Sequence, residues 1–164
     1  MPQHRLVRLL PLALAVLVPA STARGELAAW DQEQVIRLAT ELATATDALY
    51  ETYMHQPPPN PGSAQSESYH GLRHLVRNIR GEARMLKKSL EEGDGREHTA
   101  WIYEILTSYT RSARYEARSN EFVSKDVGER AAGVRAVLNQ LGPYYDRDFR
   151  TLAPDPGVEP GATR

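Results

Sequence analysis

The stretch GLRHLVRNIRGEARMLKKSLEEGDG, residues 71–95, decides the fold. Leu72, Leu75, Ile79, Ala83, Leu86 and Leu90 recur every three or four positions. At about 100° per residue they fall on one stripe, the mark of a helix that packs a single face on a core. Arg73, Arg77, Arg80, Arg84 and Lys88 keep the same spacing along the helix. Glu92-Gly93-Asp94-Gly95 then ends it, because glycine readily takes the positive φ found at helix ends.

The same pattern extends on both sides. Val35, Leu38, Leu42, Ala45, Leu49 and Tyr53 form a stripe before it. Ile102, Ile105, Tyr109 and Ala113 form a third, and Val127, Ala131, Val134, Leu138 and Leu141 a fourth. Leu42, Ile79 and Ile105 are therefore expected to be buried among the helices. Between the first two helices, Pro57, Pro58, Pro59, Pro61 and Gly62 leave no room for a continuous helix. Ser119 to Ser124 is a softer break, where either serine suits an N-cap. A single kinked helix is the alternative there. Gly142-Pro143 is read as the end of the fourth helix. Short connections place successive helices antiparallel. The fold class is thus all-α, an antiparallel up-down four-helix bundle over residues 24–151, with 152–164 as a flexible tail rich in proline and glycine.

The N-terminus adds a compartment. Arg5 and Arg8 precede an apolar run from Leu9 to Val18, and small residues follow, with cleavage sites after Ala20 and Ala23. This is the pattern of a cleaved signal peptide, residues 1–23. A membrane span needs about 20 apolar residues, so no transmembrane segment is expected after cleavage. The expected location is periplasmic or secreted. The chain has no cysteine, so neither a lipid-modified cysteine nor a disulfide framework is available, and stability must come from the core. A net charge of −1, made more acidic by loss of Arg5 and Arg8, argues against nucleic acid as a partner.

Three constellations are candidates for chemistry. His70 and His74 stand four apart on one helix, the spacing at which two imidazoles share a metal. His55 and Met54 end the preceding helix, and Glu116 falls level with the same pole. Histidine with methionine suits copper. However, His70 and His74 lie about 160° and 200° from Leu72, opposite the apolar stripe, where solvated histidines are the simpler reading. Gly71 also stands where H-E-x-x-H requires its glutamate. The second candidate is an anion-binding patch of Arg73, Arg77, Arg80, Arg84, Arg111 and Arg114, suited to an anionic envelope component. Its competitor is pairing with the acids of the first helix, Glu33, Glu41, Asp47 and Glu51. The third is tyrosine: eight, against two phenylalanines. Tyr53 and Tyr109 fall on apolar faces, while Tyr50, Tyr103 and Tyr115 lie off the stripe centres and line a groove or flank the core.

No G-x-S-x-G elbow or phosphate loop is present, so an enzyme is not expected. The functional expectation is an exported, non-enzymatic binding or interaction module of the bacterial envelope, whose partner is an envelope protein or anionic component. A metal- or haem-binding bundle of the periplasm is the alternative. The sequence specifies no cofactor.

Overall fold

The computed structural model describes residues 27–118 and 123–146. Those residues form four helices, α1 (Gln32–Met54), α2 (Ala64–Glu91), α3 (Arg96–Arg118) and α4 (Lys125–Tyr145), and no strand. The signal peptide expected over 1–23, the tail from 152 and Ser119 lie outside the described residues.

Local chemistry sets the helix ends. The Asp31 carboxylate accepts the Gln34 N–H at 3.0 Å and caps α1. Ser124 caps α4 in the same way, its hydroxyl accepting from Val127. At the end of α2, Gly93 has φ +96°. There the Asp94 N–H reaches the Ser89 carbonyl at 3.0 Å and Gly93 reaches Leu90 at 3.2 Å. This paired closure satisfies carbonyls that the last turn leaves open.

Each helix buries one face in a common core. Val35, Leu38, Leu42 and Leu49 come from α1, and Leu72, Ile79, Leu86 and Leu90 from α2. Ile102 and Leu106 come from α3, and Val127, Val134, Leu138 and Leu141 from α4. α1 packs on α2 and α4, and α2 packs on α3; the α3–α4 side is the least closely packed.

Two poles can be followed through named contacts. At one, Gln32 donates to the carbonyls of Leu90 and Asp94 at 2.9 and 3.2 Å. The Ala28 N–H donates to the Pro143 carbonyl at 2.8 Å, and Arg96 donates to the Ala28 carbonyl at 2.6 Å. Trp30 sits edge-on to Tyr144 and Tyr145. At the other pole, the Tyr53 hydroxyl donates to the Tyr69 carbonyl at 2.9 Å, and Gln56 accepts from the Ser124 N–H at 3.3 Å.

Three expectations are corrected. Ile105 is only half-buried; the buried positions of α3 are Thr99, Ile102, Tyr103, Leu106, Thr107 and Thr110. Threonines on the buried face rotate the stripe away from Ile105, and they fit because Thr107 and Thr110 donate to carbonyls of their own helix. Leu75 is likewise half-buried, while Val76 takes the core position. Gly142-Pro143 does not close α4, which runs on to Tyr145. Proline supplies no donor to the turn before it. The extra turn persists because Pro143 has its carbonyl bonded to Ala28 and the next two tyrosines pack on Trp30.

Candidate functional site

His55 lies at the end of α1, and His70 and His74 lie near the start of α2. His55, at the C-terminal end of α1, keeps Nδ1 2.7 Å from the Glu51 carbonyl oxygen. His70 is exposed, its ring edge-on to Tyr69, and His74 is exposed one turn later. Among the described residues no group of three or more histidines and carboxylates is arranged to hold a metal ion.

The arginines of the expected patch have different surroundings. Arg80 Nε lies 2.6 Å and the Arg84 guanidinium 2.8 Å from the same Asp47 oxygen in α1. Arg80 also lies 4.2 Å above the Tyr50 ring and 3.9 Å from Glu51. Partial burial works to raise the Asp47 carboxyl, yet hydrogen bonds from Arg84 and Arg80 outweigh it and hold its pKa below the ordinary value. Arg73, Arg77 and Arg111 are exposed. Arg114 is half-buried in α3 and borders a cavity between α3 and α4.

That cavity is a concave feature among the described residues. Its volume is about 650 Å³, within the range of small-molecule sites. Leu49 and Tyr53 of α1 and Leu72, Val76 and Ile79 of α2 form its floor. Ala113 and Ala117 line the α3 wall, and Val127, Ala131 and Val134 the α4 wall.

The sequence of the two walls explains the space. Toward the first pole the α3–α4 gap is filled by Tyr103, whose ring stacks on Tyr145 at 4.7 Å and whose hydroxyl donates to the Leu138 carbonyl at 3.3 Å. An aromatic ring there sets a separation that alanine cannot span. Toward the second pole the facing residues shrink to Ala113, Ala117 and Ala131, and the gap widens into the cavity. Gly128 also lines it, and a Cβ built there would meet nothing within 4 Å.

The interior is chemically plain. Tyr53 is fully buried, its hydroxyl engaged by Tyr69. Burial pushes that hydroxyl far above the ordinary tyrosine value, Tyr69 adding to the effect and Arg73 opposing it, so it stays neutral. Thr110 donates back to Leu106 at 2.8 Å. The buried side-chain atoms without a partner among the described residues are Glu82 Oε2 and Arg96 Nε, and neither residue lines the cavity. An apolar body is therefore what the interior accommodates.

The rim differs. Arg114, Arg118, Lys125 and Arg135 border the cavity together with Glu129, which lies 3.6 Å from Lys125. Sequence reasoning missed this assembly apart from Arg114. The usable signal was small residues at helical spacing in α3 and α4, with basic residues beside them. Tyr53 alone of the tyrosines singled out lines the cavity; Tyr115 is 73% exposed. Compared with known protein families, curated proteins and solved structures, the chain matches none of them.

Proposed function

We propose that this chain is an exported, non-enzymatic binding protein of the bacterial envelope: an up-down four-helix bundle, freed of residues 1–23, that holds a small apolar molecule between α3 and α4. The observation that carries the reading is the cavity of about 650 Å³, with an apolar floor and walls and its polar side chains already engaged. Burial of apolar surface gives such a site its affinity, roughly 25 cal/mol per Å² before the costs of association. Export rests on Arg5, Arg8 and the apolar run to Val18. No helix of the described residues is long and apolar enough to cross a membrane, which accords with a chain released after cleavage. The cavity lining offers neither histidine nor methionine, so it favours an organic ligand over a metal or haem.

Titration with the neutral fluorophore N-phenyl-1-naphthylamine tests this reading. One probe per chain should bind at micromolar concentration, with enhanced and blue-shifted emission. Emission no different from that in buffer would refute an apolar site.

A further inference from the structure

We infer that the ligand of this cavity is an anionic single-chain amphiphile, a fatty carboxylate, with its chain on the Leu49–Tyr53–Ile79 floor and its head at the basic rim. The inference rests on the cavity being a ligand site, and adds to it a charge and a shape.

Charge comes from the rim. Arg114 and Arg118 stand one turn apart on α3, and Lys125 and Arg135 belong to α4 across the opening. Glu129 is the acid of the lining, and Lys125 already lies beside it. Basic side chains thus outnumber acidic ones among the residues that line an otherwise largely apolar space. Arg114, Arg118 and Arg135 have partners within the protein, so a head group would join an existing polar rim. A carboxylate suits this place because guanidinium groups bind its two oxygens side by side. Lys125 and Glu129 are well exposed, 88% and 66% by side chain. Water screens such charges, and each contributes modestly. The head should therefore favour an anion by about five- to tenfold, while the chain supplies most of the affinity.

Shape comes from the floor. Leu72, Val76 and Ile79 run along α2, and Val127, Ala131 and Val134 run along α4. Seven residues of helix rise about 10 Å, so the apolar floor and wall form a slot longer than one turn. A single extended chain follows such a slot. Each added methylene, while it still finds apolar wall, should tighten binding up to about fourfold.

The test is displacement of N-phenyl-1-naphthylamine from the full exported protein by twelve-carbon compounds below their micelle concentrations. Dodecanoate should displace the probe five- to tenfold better than dodecanol, and dodecyltrimethylammonium should be weakest. Added salt should erode the advantage of dodecanoate and leave dodecanol unchanged. Arg114→Gln should cost dodecanoate several-fold and leave dodecanol unaltered, with Lys125→Gln serving if the first variant does not fold. Equal displacement by all three heads, or a preference for the ammonium, would overturn the inference while the apolar site stood. Binding of two-chain anionic vesicles without binding of free dodecanoate would also overturn it. A protein that binds no probe at all would remove the site itself.

Discussion

The Tyr103 ring of α3 stacks on Tyr145 in the last turn of α4, centroids 4.7 Å apart and planes 12° from parallel. This pair fills the space between the two helices at one pole, whereas Ala113, Ala117 and Ala131 border the cavity between the same helices. Tyr145 is tied in turn to α3 through Thr99, oxygen to oxygen at 3.0 Å.

Removing the ring should therefore cost both stability and site. Tyr103→Ala should destabilise by about 3–5 kcal/mol, as large-to-small aromatic substitutions do. Tyr103→Phe should cost only about 0.5–1.5 kcal/mol, the loss of one hydrogen bond to the Leu138 carbonyl. Burial first, then Asp146, pushes the Tyr103 hydroxyl from 10.0 up to about 12, with Arg111 opposing. Because the folded pKa is the higher one, this contribution is complete below pH 10 and is lost as pH rises toward 12. Denaturant melts across that window should show falling stability, and Tyr103→Phe should flatten the fall.

Burial distinguishes three neighbouring tests of the core. Ile79 is 2% exposed, and Ile79→Ala should cost about 2–5 kcal/mol. Ile105 is half-buried, so Ile105→Ala should fall clearly below that. Arg77 is exposed, and Arg77→Ala should stay within about 0.5 kcal/mol. Urea melts followed by circular dichroism rank the three. Ile105 equal to Ile79 would mean that α3 is rotated from the orientation described.

Two carboxylates should act in opposite directions with pH. Asp47 has a depressed folded pKa, so its pairing stabilises above about pH 3.8 and fades as pH falls through the folded value. Its partial exposure limits this to about 1 kcal/mol or less. Glu82 is raised by burial and has an oxygen without a partner among the described residues. Its ionisation opposes the fold, so stability falls as pH rises from 4.5 through its folded value. Asp47→Asn should lower stability at pH 7, and Glu82→Gln should raise it. Matched melts should show the Glu82→Gln gain shrinking between pH 7 and pH 4, and the Asp47→Asn loss holding at pH 4 and shrinking only as pH is taken well below 3.8.

Most of the helices were legible because α2 separates its apolar and basic positions so sharply. The glycine stop at Gly93 and the Ser124 cap were legible for local reasons as well. Ile105 was misread because Ile102–Ile105–Tyr109 and Ile102–Leu106–Thr110 both satisfy helical spacing. Only packing shows that threonines take the buried side. Pro143 was read as a stop because its rescue by Ala28 and Trp30 involves residues more than a hundred positions away. The cavity was illegible for a different reason. It depends on which helices face each other and on how far Tyr103 keeps them apart, and no local pattern carries that distance.

One paired measurement on Ala131→Leu tests most directly whether there is space between α3 and α4. Ala131 is a half-buried part of the α4 wall. Three added carbons should occupy the cavity, raising stability by about 1 kcal/mol, since each buried methylene contributes about 0.8 kcal/mol and the fit is partial. The same variant should bind N-phenyl-1-naphthylamine at least tenfold more weakly than the parent protein. Stability up with binding down is the predicted result. A loss of about 1–3 kcal/mol, the cost of forcing atoms into a filled core, with probe binding unchanged, would contradict the cavity and the function built on it.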